Sequence, residues 1–510
     1  MWSQIEANLL TFFADVNKYF SGYVLVILLV GVGVFFTIKT KFAQVRYFGQ
    51  GAKQVFGNIK LAGGKQKSGM SSFQAFATAI AAQVGTGNII GATGAILTGG
   101  PGAIFWMWII AFLGMATIYA EAVLAQKTKT VDEKGNVLGG PVYYIKKAFP
   151  NGFGKFLAVF FAIATVIALG FVGSMVQSNS IGGAVTNAIS SIAGFTMPEW
   201  VPIIVGVVIA IVAGIVFIGG ISRLASVTEK MVPVMALLYI VGGIIIICCR
   251  IPDLPRAFGM IFEYAFNPDA IIGGGIWGAL VIAIQQGAKR GLFSNEAGMG
   301  STPHAHAQAN VKTAHEQGCS AMFGVFMDTF VVLTMTALIV ITTLYAGGNM
   351  KYLTEGTIVN GAALTADSWA YVTGTSVQLI DKSNAVATAF AIAFGNGNVA
   401  QTIGNIFVAI CLTFFAFSTI LSWNLFGKIN FQYLFKGKGT IIYTIVALVF
   451  IVLGSFFQND LVWELTDFFN YLMVLPNVIA LIALSKMVVE EVKTNGKKCP
   501  KENEPIEIKE

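Results

Sequence analysis

An apolar stretch long enough to cross a bilayer, residues 77–100, is interrupted near its middle by the sequence Gly-Thr-Gly-Asn at residues 85–88. A helix broken at membrane depth exposes backbone amides and carbonyls that hydrocarbon cannot satisfy, so the break must line protein or a water-filled cavity. Transporters use such breaks to build ion and substrate sites near the bilayer midplane. The alternative is a packing seam, because Gly87 and Gly91 have the spacing that lets helices approach closely.

Composition indicates that most of the chain lies in lipid. The 510 residues are 55% hydrophobic and 11% charged, against about 25% charged residues in soluble domains. The net charge of +7 comes from basic residues between apolar runs, which argues against a nucleic-acid partner. The five cysteines lack metal-ligand spacing, and the residues before the first apolar run lack the basic cluster of a cleavable signal peptide. We therefore predict an all-α polytopic membrane protein without a cofactor.

Eleven runs are long enough to span a bilayer. They cover residues 20–38, 70–98, 101–126, 153–188, 200–219, 231–249, 270–298, 321–346, 401–427, 440–457 and 461–486. An alanine-rich segment at residues 384–395 predicts an additional, partly embedded helix in the longest loop.

The placement of lysine and arginine predicts the orientation of these spans. Residues 39–67 carry seven basic and no acidic side chains, so we assign them to the cytoplasm. Alternating the eleven spans from there places 27 of the 32 basic residues on the cytoplasmic side. This pattern predicts a multi-pass protein of the plasma membrane, with its N-terminus outside and its C-terminus in the cytoplasm.

Ten of the spans divide into two sets of five with opposite orientation. The first set begins with the interrupted run at 70–98, and the second begins with 270–298, where Gln-Gln-Gly at 285–287 predicts another interruption. Two discontinuous helices at corresponding places predict an inverted-repeat transporter. The predicted divisions are residues 1–68 (outer N-terminus, extra span and basic segment), 69–249 (first repeat), 250–486 (second repeat) and 487–510 (cytoplasmic tail).

Three motifs carry a resemblance to a known family: AIAAQVGTGNI at residues 79–89, GGPVYY at 139–144 and GAKRGLFSNEAGMGS at 287–301. They resemble the alanine/glycine:cation symporters (sodium:alanine symporters), which have the leucine-transporter fold and one extra N-terminal helix. The resemblance implies uptake of a small neutral amino acid, alanine or glycine, with Na⁺ by alternating access, and no enzymatic activity. The alternatives are a glutamine or serine carrier, H⁺ coupling, or a channel or facilitator.

A candidate sodium site follows from the first break. Na⁺ prefers several oxygen ligands, and carbonyls freed at a helix break can supply them together with hydroxyls. Carried over by position, the resemblance implies the carbonyls of Ala81, Val84 and Phe415 and the hydroxyls of Ser418 and Thr419 as ligands. The alternative is that both hydroxyls merely bond back to a preceding carbonyl of their own helix.

An amino-acid substrate would bind at the same break. Its carboxylate suits the unpartnered amides that begin the half-helix after the break, and its ammonium needs oxygen acceptors. Trp423 lies one turn beyond Thr419, so its indole would shrink the side-chain pocket and favour alanine or glycine. The expected substrate contacts are Gln83, Thr86, Gly87, Asn88, Phe171, Gln177, Gln286, Thr419 and Trp423, of which Phe171 and Gln177 are also compatible with ordinary packing.

Ionisable residues within the spans are candidate functional groups. Glu121 lies near the inner end of its span, where a carboxylate can snorkel to the surface. Asp328 lies deeper, and its alternatives are a second cation ligand, a proton relay, or an ion pair with Lys289 or Arg290, which we favour. Because they would follow the interruption at 285–287, Lys289, Arg290 and Glu296 are expected at the cytoplasmic gate, with Asp328 in the same charge network.

Overall fold

The computed structural model describes residues 2–57, 69–131, 135, 137–267, 275–359, 362–364, 368–373 and 376–496, and most of these are helical. The helices are α1 (Trp2–Tyr19), α2 (Val26–Lys39), α3 (Ala43–Arg46), α4 (Phe48–Gly57), α5 (Ser72–Gln83), α6 (Ala92–Gly99), α7 (Ala103–Thr128), α8 (Pro141–Ala148), α9 (Gly152–Thr165), α10 (Gly173–Ala193), α11 (Val201–Ile218), α12 (Gly220–Cys249), α13 (Leu254–Phe266), α14 (Gly275–Asn295), α15 (Pro303–Gln308), α16 (Ala314–Val325), α17 (Thr334–Val340), α18 (Ala385–Ala393), α19 (Asn398–Phe435), α20 (Thr440–Leu453), α21 (Asn459–Ala483) and α22 (Ser485–Asn495). π-Helical turns extend several of them, at Phe20–Leu25, Gly87–Gly91, Val166–Val172, Phe326–Leu333 and Ile341–Tyr345, and a 3₁₀ turn covers Ile251–Asp253.

Eight helical stretches in the described part of the chain are long and apolar enough to cross a membrane, or nine if one bent pair counts as a single span. The longest are Gln4–Lys39, Gly152–Ala193 and Asn398–Phe435, with 36, 42 and 38 residues. This is the architecture of a multi-pass membrane protein. Part of the predicted span at 270–298 falls on residues 270–274, outside the described residues, as do residues 58–68 of the basic segment and 497–510 of the tail.

The predicted first interruption is present. Helix α5 ends at Gln83 and the chain resumes in helical form at Gly87, with an angle of 45° between the two halves. Gly85 is needed at the bend, because a Cβ atom there would lie 2.5 Å from the hydroxyl oxygen of Thr419 on α19. Every residue of α5 from Phe73 to Gln83 is buried, so the broken helix lies at the centre of the molecule.

The second interruption lies further along the chain than predicted. Helix α14 runs unbroken through residues 285–287 and ends at Asn295, and helix resumes only at Pro303. Between them the backbone takes positive φ at Glu296 (58°), Gly298 (91°) and Gly300 (81°), a region that favours glycine. The predicted position is wrong because glutamine is a good helix former, so polarity at 285–287 marks no break.

Short strands qualify the all-α prediction. β1 (Met70–Ser71) pairs in parallel with β4 (Ala309–Asn310) and so joins the start of the first interrupted helix to the end of the second. The other strands are β2 (Thr130–Val131), β3 (Val137–Leu138), β5 (Met350–Leu353), β6 (Ile358–Val359), β7 (Ala362–Ala363), β8 (Ser368–Thr373) and β9 (Ser376–Ile380). β5, β8 and β9 form an antiparallel sheet, and Trp369 of that sheet donates a hydrogen bond of 2.7 Å to the carbonyl of Leu97 on α6. The predicted extra helix is present as α18.

Candidate functional site

Two hydroxyls of α19 face the carbonyls at the end of α5. Thr419 Oγ1 lies 2.8 Å from the carbonyl oxygen of Ala81 and 3.0 Å from that of Phe415. Ser418 Oγ lies 2.9 Å from the Phe415 oxygen and 3.4 Å from the Ala81 oxygen. All four residues are buried, and Val84 leaves the helical conformation (φ −82°, ψ 86°), which turns its carbonyl off the axis of α5. Converging oxygens of this kind suit a hard cation.

Side-chain amides cover the backbone exposed at the break. The Gly85 amide donates to Asn88 Oδ1 (3.1 Å) and the Thr86 amide donates to Gln177 Oε1 (3.3 Å). Gln177 Nε2 and Thr86 Oγ1 are buried without a hydrogen-bond partner among the described residues, as is Gln83 Oε1. Buried polar atoms without partners are costly, so these three atoms are candidates for contacts with a polar ligand.

Asp328 links the two broken helices. It accepts hydrogen bonds from Asn88 Nδ2 (2.7 Å) in the first and from Ser294 Oγ (2.9 and 3.0 Å) in the second. Thr329 Oγ1 donates a third, at 2.8 Å. Within the described residues these are neutral donors, and every ion pair found there involves other carboxylates.

Lys289 and Arg290 pair with α21 instead. Lys289 Nζ lies 3.0 Å from Glu464 and 2.9 Å from Asp467, and Arg290 Nη1 lies 3.2 Å from Asp467. The favoured ion pair of Asp328 with either of them is therefore wrong. Because α14 has no earlier break, both residues precede the interruption, whereas the predicted cytoplasmic gate required them to follow it.

An indole sits between two cations beside this cluster. The Trp463 ring centre lies 4.7 Å from Arg290 Cζ and 5.5 Å from Lys382 Nζ, and Lys382 also pairs with Asp460 at 2.6 Å. Burial lowers the pKa of the Lys382 ammonium below its usual value, because desolvation outweighs the attraction of Asp460. These contacts extend the charged cluster from α14 to the loop before α18.

Phe293 fills the space between the broken helices. Its ring centre lies 4.7 Å from that of Trp463 and 5.9 Å from that of Trp423. A Cβ atom on Gly87 would approach the Phe293 ring to 2.9 Å, so only glycine allows this packing. Phe293 was not among the predicted site residues, because the interruption was predicted at residues 285–287, before this side chain. Helix α14 is unbroken up to Asn295, so Phe293 lies one turn after Arg290 on the same face of the helix, and this spacing relates it to the predicted charged residues.

Trp423 is tied to the second interruption. Its Nε1 donates to Glu296 Oε1 at 2.5 Å, and Ser301 donates to the other oxygen of the same carboxylate. Glu296 thus belongs to the wall beside Trp423 and lies apart from the basic residues with which it was grouped. The indole orientation is set by this hydrogen bond.

Glu121 holds the unwound segment after α14. It is fully buried and accepts hydrogen bonds from the amides of Gly298 (3.3 Å) and Gly300 (3.1 Å) and from Asn477 Nδ2 (2.6 Å). Tyr144 donates its hydroxyl to Asn477 Oδ1. The snorkelling interpretation of Glu121 is wrong. Asn477 was not among the predicted site residues. It is a polar residue within a predicted span, and this feature of the sequence could have identified it.

Two predicted substrate contacts lie away from the first break. The Phe171 ring packs on Phe450 and Tyr443 of α20, with ring centres 5.0 and 5.6 Å apart. Gln286 lines a separate cleft of about 150 Å³, whose lining residues are Ala14, Lys18, Gln285, Gln286, Lys289 and Glu464. The structure brings the other predicted contacts, namely Gln83, Thr86, Gly87, Asn88, Gln177, Thr419 and Trp423, to the break or to the side chains around it.

Comparison with known proteins identifies the family. The model of the sodium:alanine symporter family matches residues 6–509. This chain belongs to that family. It is 38% identical over 480 residues to "Sodium/alanine symporter AgcS" of Methanococcus maripaludis, covering 94% of this chain and 95% of that one. It is 36% identical over 481 residues to "Probable sodium/glutamine symporter GlnT" of Bacillus subtilis, covering 94% and 89%.

A solved structure supports the fold of this symporter. The crystal structure of MhsT in complex with L-phenylalanine matches with a TM-score of 0.57 at 13% identity, covering 84% of this chain and 97% of that one. The likeness shows the leucine-transporter fold. The chain is thus a multi-pass membrane transporter of a cation-coupled amino-acid symporter family, and it is not an enzyme.

Proposed function

We propose that this symporter couples inward movement of Na⁺ to uptake of alanine or glycine by alternating access. Eleven spans would form one extra N-terminal helix and a 5+5 inverted repeat, with the N-terminus outside. The two interruptions support this plan, because each falls in the first long helix of its proposed repeat, residues 69–249 and 250–486. Both face the same central region, where Asp328 bonds to residues of each.

The sodium site would consist of the carbonyls of Ala81, Val84 and Phe415 with the hydroxyls of Ser418 and Thr419. One observation carries this assignment: Thr419 Oγ1 lies 2.8 Å from a carbonyl of a different helix. A hydroxyl that only bonds back to its own helix needs no such neighbour. Bound Na⁺ would be held by lone pairs of these oxygens, and the two hydroxyls would keep their hydrogens and turn them away from the ion.

The substrate carboxylate would bind the amides of Thr86 and Gly87. In the described structure Gln177 Oε1 occupies the Thr86 amide, so an arriving carboxylate would displace this oxygen and receive a hydrogen bond from the free Gln177 Nε2. Gln83 Oε1, which is also buried without a hydrogen-bond partner among the described residues, would accept from the ammonium. The residues on either side of Gly85 would contact both Na⁺ and the substrate, so binding of one ligand would affect binding of the other.

Side-chain selection would depend on Trp423 and Phe293. Their rings are in contact, with centres 5.9 Å apart, and Glu296 holds the Trp423 indole by its Nε1. Moving the indole aside for a longer substrate would break that hydrogen bond and leave a buried polar group unpaired, at a cost of about 1–3 kcal/mol. This disfavours glutamine, the alternative within the family, and favours alanine or glycine over serine by size.

Coupling to H⁺ is the second candidate. Asp328 favours it, because this buried carboxylate touches both interruptions and accepts only from neutral side chains among the described residues. A proton or a second cation at Asp328 would neutralise a charge that the membrane interior disfavours. Asp328→Asn should abolish H⁺-driven uptake under this alternative while leaving Na⁺-driven uptake measurable under the first.

Uptake of labelled alanine into proteoliposomes tests the proposal. We expect accumulation with an inward Na⁺ gradient, none when K⁺ replaces Na⁺ at constant pH, and competition by glycine but little by glutamine. Accumulation driven equally well by a pH gradient without Na⁺ would assign H⁺ coupling. Equilibration that needs no cation gradient would contradict symport and indicate a facilitator or channel.

Cysteine labelling tests the proposed topology. A membrane-impermeant thiol reagent should label a cysteine introduced at Asn8 in intact cells. It should label a cysteine introduced at Asn503 only after the cells are permeabilised. External labelling at position 503 would contradict the orientation that the basic residues predict.

A further inference from the structure

Helix α1 is attached to the beginning of α21 by two buried polar side chains. Glu6 Oε1 accepts from the amide of Gln458, the residue that caps α21, at 2.7 Å. Asn17 Nδ2 donates to Glu464 twice, to the backbone oxygen at 2.8 Å and to Oε2 at 2.6 Å. Glu6 is 6% exposed and Asn17 is 1% exposed, although much of α1 is exposed around them. Both contacts are therefore specific features of an otherwise open helix.

Glu464 is shared between α1 and α14. Its Oε2 receives Asn17, while its Oε1 lies 3.0 Å from Lys289 Nζ. Lys289 and Arg290 both reach Asp467 one turn further along α21. Two cations of α14 thus meet two carboxylates of α21, and α1 holds one of those carboxylates in place.

Helix α1 also packs along α21 through aromatic rings. Phe13 meets Phe468 with ring centres 5.3 Å apart, and Phe20, in the π-helical turn that follows α1, stacks on Tyr471 at 6.4 Å. On the α14 side, in contrast, α1 borders the 150 Å³ cleft that contains Lys18 and Gln286. Helix α1 is therefore fixed to α21. The ion pairs can separate if α14 moves away from α1 and α21.

We propose that α1 sets how readily the outer side of the symporter opens, with Asn17 and Glu6 as positioning residues for the ion pairs between α14 and α21. Asn17 holds the Glu464 carboxylate in the orientation that receives Lys289. The Glu464 side chain therefore already has the required rotamer when the ion pair forms again. Glu6 holds the capped end of α21 against α1. The proposal rests on the proposed orientation and on alternating access, and neither residue belongs to the proposed substrate or sodium site.

The test measures how often the cleft opens. Gln286→Cys places a thiol in the cleft, and its rate of modification by an impermeant thiol reagent is measured in the full chain, with the parent chain as the background for Cys248 and Cys249. Asn17→Ala should raise this rate about fivefold to tenfold, since it removes two hydrogen bonds that include a charged acceptor. It should lower kcat for alanine uptake more than it changes KM, because closure is affected and the substrate contacts are not.

Matched variants separate this role from general instability. Asn8→Ala makes the same substitution at an exposed position of α1 and should leave the rate unchanged, whereas Glu6→Ala should raise it. Glu464→Gln should raise the rate, and adding Asn17→Ala to it should have little further effect, because both act on the same contact. An unchanged rate in Asn17→Ala, or full additivity with Glu464→Gln, would overturn the proposal. The labelling requires no substrate, so a failure of Na⁺-driven uptake in the unmodified chain would reject the proposed function separately.

Discussion

Thr419 contacts carbonyls of two helices with a single hydroxyl, and Gly85 allows the two helices to come that close. A pair of residues more than three hundred positions apart therefore defines one side of the candidate site. The other side depends on Gly87, which leaves room for Phe293. At the residue scale, the lack of a side chain at Gly85 and Gly87 matters as much as the oxygen atoms that surround them.

Removing the Thr419 oxygen should weaken Na⁺ binding. Thr419→Val keeps the side-chain shape, so the half-saturating Na⁺ concentration for alanine uptake should rise about tenfold, on the order of 1.4 kcal/mol, with little change in maximal rate. Thr413→Val is the control, because Thr413 lies on the same helix and, within the described part of the chain, bonds only to the carbonyl of Ala409, 2.6 Å away. Equal Na⁺ dependence in the two variants would reject the assignment.

Enlarging Gly87 should affect substrate binding first. A Cβ atom at this position lies 2.9 Å from the Phe293 ring, so Gly87→Ala should raise KM for alanine about tenfold or more while changing the Na⁺ requirement less than twofold. Gly94→Ala on α6 is the control, since its Cβ would meet only Lys382, at an ordinary 3.8 Å. A larger change in Na⁺ affinity than in alanine affinity would contradict the proposed division at the break.

At the scale of elements, the two interruptions have different origins. The first bends at residues 84–86, where glycine permits close packing against α19, and the sequence predicted it because glycine and asparagine interrupt an apolar run. The second is made by three residues with positive φ, and it is held by hydrogen bonds to Glu121 of the neighbouring helix α7. Its position was predicted wrongly, because a polar pair on a helix and a true break look alike in a hydropathy pattern.

Glu121 should be essential for the second interruption. Glu121→Gln leaves one acceptor oxygen for two backbone amides and Asn477, and an unsatisfied buried donor costs about 1–3 kcal/mol. The initial rate of alanine uptake should fall at least tenfold. Tyr144→Phe should reduce it less, because the Tyr144 hydroxyl bonds to Asn477 and not directly to Glu121 or the two amides among the hydrogen bonds of the described residues. Uptake at the unmodified rate in Glu121→Gln would show that the segment is held by other contacts.

At the scale of the whole molecule, a charged cluster joins α14, α21 and the loop before α18. Its members differ in burial, since Asp467 is 1% exposed and Asp460 is 66% exposed. The cluster lies beside Phe293 and Trp463, so α14 both carries two of the paired cations and contributes Phe293 to the candidate substrate site. Closure of one end of the molecule and ligand binding therefore involve common elements.

The two carboxylates should contribute very differently to stability. Asp467→Asn leaves Lys289 and Arg290 buried with one carboxylate between them, which should destabilise the folded protein by about 3–5 kcal/mol. Asp460→Asn removes a carboxylate that is itself 66% exposed, so it should cost less than about 1 kcal/mol. Thermal unfolding of the detergent-purified protein measures both. Similar melting temperatures for the two variants would contradict the burial of the cluster.

The sequence by itself determined that this chain lies in a membrane, that it is helical, that one helix breaks close to the glycines at 85 and 87, and to which family it belongs. Each of these depends on composition, on a local pattern or on a motif. Only the tertiary structure decided which carboxylate meets which cation, where the second break lies and that Phe293 packs on Gly87. Lys289 and Glu464 are 175 positions apart, and their pairing depends on how α14, α21 and α1 pack together, which no local pattern encodes.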